Sequence, residues 1–172
     1  LCRAMARLAH DERMRLDVAT GGELHTVLAA GVPASACVMH GNNKSATELA
    51  AAVEAGVHRV VVDSFDELDR LDALHARTGR VADVLLRITP GVHAHTHEFI
   101  ATGQDDSKFG FNLGNGDALR AVERARTSAS VALHGLHCHI GSNVFAASSF
   151  AKAVEVMAAF ANPLGLPELV LG

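Results

Sequence analysis

Six short runs of apolar and β-branched residues punctuate the chain: "RLDVAT" from Arg15, "ACVMHG" from Ala36, "RVVVDS" from Arg59, "VLLRIT" from Val84, "LHGLHCHIG" from Leu133 and "ELVLG" from Glu168. Each is a short apolar or β-branched run of the kind that reads as a strand. Between them the apolar spacing changes to that of helices. "GELHTVLAAG" and "SATELAAAVEAG" each end in Gly, a common helix stop. "SFDELDRLDALHARTG" opens with Ser64 and carries Glu67 three residues on, a capping-box pattern. "GDALRAVERART", "SSFAKAVEVMAAFA" and the opening "LCRAMARLAHDERM" read as amphipathic helices.

Strand alternating with helix predicts a parallel sheet with crossover helices. The first four runs begin at residues 15, 36, 59 and 84, each gap the size of a compact strand-plus-helix unit. A long polar insertion, "PGVHAHTHEFIATGQDDSKFGFNLGNG", separates the fourth run from the fifth. A doubly wound open sheet and a (β/α)8 barrel both fit this alternation. The strand ends favour the barrel. Asp17 and Thr20 close the first run, His40 and Asn42 follow the second, and Asp63 and Ser64 close the third. Arg87 and Thr89 close the fourth, and His137, His139 and Ser142 the fifth. A barrel gathers all such ends around one mouth, whereas an open sheet uses only those at its switch point. No G-x-G-x-x-G follows the first run. Six runs leave two of eight strands unaccounted for, so residues 1–172 are expected to be a piece of a barrel, with open sheet edges and low stability alone.

Composition narrows the partners. The chain has 172 residues, 49% hydrophobic and 20% charged, with a net charge of -4 and no basic stripe. Nucleic acid is therefore not an expected partner. No apolar run reaches the roughly 20 residues that span a bilayer, and the first residues do not form a signal peptide. Cys2, Cys37 and Cys138 are scattered and odd in number, which suits a reducing cytoplasm better than a disulfide framework or zinc ribbon.

The chemistry concentrates in "GLHCHIGSN", residues 135–143. His137 and His139, two apart on a strand, face the same way. They could be a zinc pair, with Asp17, His40 or Asp63 completing the set, or hydrogen-bonded core histidines. Gly141-Ser142 instead suits a phosphate, or a plain turn. Gly172 follows the last run, where barrels often bind phosphate. One arrangement unites these features: a phosphorylated cofactor anchored by Ser142 and Gly172, with an imidazole on its ring. Were that cofactor pyridoxal phosphate it would need a Schiff-base lysine. Of Lys44, Lys108 and Lys152, only Lys44 lies beside a strand end, so the pattern alone nominates it. "HGNNKS" otherwise reads as a turn and helix cap, "HAHTH" (His93, His95, His97) as a solvated loop, and His10, His25, His58 and His75 as surface residues.

Together, "LDVATGGEL", "HGNNKS", "VVDS", "TPGVHAHTHEFIATGQDDSKFGF", "GLHCHIGSN" and "LPELVLG" resemble the diaminopimelate decarboxylases, in the alanine-racemase-like, fold-type III group of pyridoxal-phosphate enzymes. The likeness runs over essentially the whole chain. It implies strands 2 to 7 of a (β/α)8 barrel, with strands 1 and 8 and a β-rich C-terminal domain outside residues 1–172. It implies a covalent lysine upstream of Leu1, against the nomination of Lys44. His139 would stack on the pyridine ring, Ser142 would contact the phosphate, and Gly172 would begin the glycine-rich phosphate loop. Asp17 and Glu23 would lie near the cofactor and its lysine, Arg87 at the ring's edge, and Lys108 near a homodimer interface. Asn143 departs from the Gln more usual there. The implied reaction is decarboxylation of meso-2,6-diaminopimelate to L-lysine and CO2 in the cytoplasm. The rivals are ornithine or arginine decarboxylation, a metal-dependent barrel hydrolase using His137 and His139, and an inactive barrel piece acting as an interaction module; residues 1–172 alone are expected to be inactive.

Overall fold

The computed structural model describes residues 2–92, 108–142, 144 and 146–172. Helix α1 (Cys2–Asp11) leads into β1 (Leu16–Val18), α2 (Gly21–Ala29), β2 (Cys37–Met39), α3 (Ala46–Ala55), β3 (Arg59–Val62), α4 (Phe65–Thr78) and β4 (Ala82–Thr89). After it come β5 (Phe111–Asn112), α5 (Asp117–Thr127), β6 (Val131–Cys138), α6 (Ala147–Ala161) and β7 (Glu168–Leu171). All six apolar runs are strands and all the helical patterns are helices. The short β5, hidden in the polar insertion, is an addition; it pairs in parallel with the last two residues of β4.

The main strands follow the order β1-β2-β3-β4-β6-β7, every pair parallel. Each strand lies beside the next main strand in sequence, so there is no switch point and the open doubly wound alternative is ruled out. Two contacts demonstrate the curl. The His40 ring, just after β2, meets the His137 ring of β6 with centroids 5.1 Å apart. Arg59 at the start of β3 forms an ion pair with Glu168 at the start of β7, its Nε donating over 3.2 Å. Each pair spans three strand spacings, about 14 Å in a flat sheet. The chain is six parallel strands of a (β/α)8 barrel.

The core lies between sheet and helices. Val84, Leu86 and Ile88 of β4 join Leu68, Leu71 and Leu74 of α4 and Ala118, Ala121 and Val122 of α5 in one buried cluster. The alternate residues Leu85, Arg87 and Thr89 are buried too; Leu85 lines the barrel interior with Val38, Val61, His137 and Val170. Helix α4 begins where the Ser64 hydroxyl accepts the Glu67 N–H and ends at Gly79 in the left-handed conformation. The expected capping box there is only half formed, because the Glu67 carboxylate turns inward. The full box stands at Ser45 and Glu48, at the start of α3. A register shift between Val84 and Leu85 marks a bulge in the β4–β6 pairing, and Gly135 follows it on β6.

Candidate active site

The C-terminal ends of the parallel strands form one rim, and the polar residues expected there are on it. Asp17 and His40 are joined, Oδ1 to Nε2 at 3.3 Å. This contact holds the Asp17 carboxyl below the usual carboxylate range. His137 is buried beside them, and its Nδ1 has no hydrogen-bond partner among the described residues. Burial, then repulsion from His40, Arg87 and His139, lowers its pKa to about 3, so the ring is neutral at neutral pH. His139, half-buried, is likewise lowered, chiefly by burial. The His40 ring lies 5.1 Å from that of His137, and Arg87 stands directly beside His137 in the β4–β6 register, so these side chains share one mouth.

A second cluster closes the rim beside β4. Arg87 Nη1 lies 3.5 Å from Asp63 Oδ1, and the Gly110 N–H donates to Asp63 Oδ2 at 3.0 Å. Burial pushes the Asp63 carboxyl up, against the opposing pull of Arg87. The Arg87 guanidinium stacks 4.6 Å from the Phe109 ring centroid, and the Thr89 hydroxyl donates to the Phe109 carbonyl. Gly110 has φ +71, and a Cβ there would come within 2.7 Å of the Arg87 carbonyl oxygen. That explains the glycine of "KFG". Strand-end reasoning found Asp63 and Arg87 separately; their union through Gly110, 47 positions from Asp63, was not visible in it.

The remaining candidates are distributed as follows. Ser142 is exposed just after Gly141, whose φ of +131 turns the chain out of β6. Gly172 directly follows β7 and donates its N–H to the Cys138 carbonyl over 2.7 Å. Glu23 accepts from the Ala19 N–H at 2.6 Å, while its own N–H is capped by Thr20 Oγ1. Lys108 is exposed, its Nζ 5.2 Å from the Phe109 ring centroid. His93, His95, His97 and Asn143 lie outside the described residues. Two sequence expectations are corrected. His58 is not a surface residue: it is half-buried and lines the barrel interior with Arg15, Arg59 and Glu168. Lys44, nominated as covalent anchor, is 1% exposed and bonded at Nζ to the Gly41 carbonyl (2.6 Å), the Val61 carbonyl (2.7 Å) and Glu67 Oε2 (2.9 Å). Three acceptors saturate an ammonium, so it offers no free nucleophile.

Among the described residues no group of three or more His, Cys, Asp and Glu is arranged to hold a metal ion. No described helix is long and apolar enough to cross a membrane.

Comparison with known proteins shows the family of the chain. The family described as "Pyridoxal-dependent decarboxylase, pyridoxal binding domain" matches residues 2–165. The chain belongs to that family. It is 53% identical over 152 residues to diaminopimelate decarboxylase of Bacillus subtilis, covering 88% of this chain and 35% of that protein. It is 50% identical over 155 residues to diaminopimelate decarboxylase of Mycobacterium tuberculosis, covering 90% and 35%. Among solved structures, diaminopimelate decarboxylase from M. jannaschii in complex with L-lysine superposes with a TM-score of 0.89 at 32% identity, over 99% of this chain and 40% of that one. The chain thus spans about a third of the length of the curated relatives it matches.

The family's cofactor is pyridoxal phosphate, and the residues present fit it. A Cβ on Gly172 would lie 2.8 Å from His139 Nδ1 and 3.1 Å from the Cys138 carbonyl oxygen. Glycine there lets the backbone after β7 pass directly beside the His139 imidazole, the group that would lie against the cofactor.

Proposed function

We propose that the full-length protein containing this chain decarboxylates meso-2,6-diaminopimelate to L-lysine and CO2 with pyridoxal phosphate. The observation that carries the proposal is identity of about half to diaminopimelate decarboxylases across nearly the whole chain. The rim geometry supports it. His139 would hold the face of the pyridine ring, with Ser142 on the phosphate, Gly172 opening the glycine-rich phosphate loop and Arg87 at the ring's edge. Asp17, ionised beside His40, and Glu23 would face the cofactor's lysine, which lies outside residues 1–172. When bound, the cofactor supplies an electron sink for the carbanion left by CO2. His137, neutral at working pH, adds no positive charge to the mouth.

On this reading two further strands and a β-rich domain come from the rest of the protein. It works in the cytoplasm as a homodimer, with Lys108 near the interface. The test is a substrate panel on the full-length protein loaded with pyridoxal phosphate, measuring CO2 and amine product from meso-diaminopimelate, ornithine and arginine. Lysine and CO2 from the first, with slow turnover of the others, is expected. Preference for ornithine or arginine would transfer the protein to a sister activity, and stoichiometric zinc without cofactor binding would overturn the proposal altogether.

A further inference from the structure

We infer that the buried Lys44–Glu67 pair is a positioning clamp that sets Asp63, and through it Arg87 and the Gly110 turn, at the mouth of the barrel. Both side chains are about 1% exposed. Every strong group in the pair is used. The three ammonium protons of Lys44 meet Gly41 O, Val61 O and Glu67 Oε2. Glu67 Oε2 also accepts the Asp63 N–H at 2.8 Å, and Oε1 accepts the Lys44 N–H at 3.1 Å. Arg70, one turn along α4, donates to the Lys44 carbonyl. Three elements are thereby locked together: the loop after β2, the end of β3 and the first turn of α4.

A buried ion pair is a weak device for stability, because desolvation offsets most of its attraction. Its worth here is directional. The Asp63 amide is held by Glu67, and the Asp63 carboxylate in turn holds Gly110 N–H and faces Arg87. The Gly110 turn has little freedom of its own, since its φ of +71 is suited to glycine and its Cβ position abuts the Arg87 carbonyl. An apolar pair of equal volume would fill the space and leave the Val61 and Gly41 carbonyls and the Asp63 amide without their partners. The consequence for cofactor binding rests on the proposed function; the clamp itself does not.

The test uses the full-length protein. The double variant Lys44→Met/Glu67→Met removes both charges and the acceptor of the Asp63 N–H at nearly constant volume, so no lone buried charge remains. Lys152→Met, which breaks the exposed Lys152–Glu155 pair, is the control. Amide hydrogen exchange at Asp63 and Gly110 should quicken at least tenfold in the double variant, with α5 unchanged, and affinity for pyridoxal phosphate should fall about tenfold. Wild-type exchange at Asp63 and Gly110 in a folded double variant would overturn the clamp. Uniformly faster exchange, α5 included, would overturn it too, as a general loss of stability. If the double variant does not fold, the unsubstituted protein carries the test. Its Lys44 and Asp63 amides should exchange only through global unfolding, and exchange as fast as in exposed loops overturns the inference. An unsubstituted protein that binds no pyridoxal phosphate would defeat the proposed function while leaving the exchange result to decide the clamp.

Discussion

Gly135 is the sharpest place to test the packing of this barrel. It lies on β6 opposite Glu168 of β7. A Cβ there would sit on the Glu168 carbonyl oxygen, with the Glu168 Cβ and carbonyl carbon 2.6 and 2.7 Å away. Ordinary carbon contacts need about 3.5–4.0 Å, so Gly135→Ala must move β7 by roughly 1 Å. Such overpacking costs about 1–3 kcal/mol. Loosening two ladder hydrogen bonds adds about 1 kcal/mol each. The total is roughly 3–5 kcal/mol, a large part of the stability of an ordinary domain. Gly79→Ala is the control. Gly79 has φ +69 but nothing within 4 Å of its Cβ position, so it loses only about 1–2 kcal/mol of backbone strain. Alanine's narrowing of the unfolded ensemble, about 0.4–1 kcal/mol, applies equally to both and cancels. Chemical denaturation of the two full-length variants should show Gly135→Ala less stable than Gly79→Ala by about 1–4 kcal/mol. Because Gly172 directly follows β7 beside His139, affinity for pyridoxal phosphate should fall only in Gly135→Ala. Equal stability losses would refute the reasoning.

His139→Ala in the full-length protein should weaken pyridoxal phosphate binding and turnover, with roughly two- to tenfold lost from stacking alone; unchanged affinity in a fluorescence titration would remove its assigned role. Glu48 accepts N–H groups from Gly21 and Ser45, which hold its carboxyl below the usual range. A lowered folded pKa adds stability above the unfolded value and loses it as pH falls through the folded one. Glu48→Gln should therefore cost about 1 kcal/mol near pH 7 and almost nothing in acid below both values, as followed by denaturation against pH. A double-mutant cycle on Arg59→Met and Glu168→Gln should give a coupling of about 1 kcal/mol. Zero coupling would mean that the pair does not brace the barrel interior.

The sequence was most informative about features that repeat along the chain. Short apolar runs and period-3.6 patterns are local, so six strands and their helices could be assigned from neighbouring residues alone. Polar residues at each strand end, from Asp17 to Ser142, indicated one mouth. The two residues of β5 escaped because a two-residue strand has no period to read. Lys44 and Glu67 misled for a related reason. Lysine beside a strand end and glutamate in a first helical turn are ordinarily exposed, and a charge's burial depends on partners 23 positions away.

By itself, then, the sequence determined the alternation of elements, the barrel class and the chemistry gathered at the strand ends, because each is written in neighbouring residues. Only the tertiary structure decided which of those groups meet. It brought His40 to His137 and Arg59 to Glu168 across strands that a flat sheet would hold apart. It saturated Lys44 and joined Asp63 to Gly110. The physical reason is curvature: closing a parallel sheet turns residues distant in sequence toward a common interior, and no local pattern records that distance.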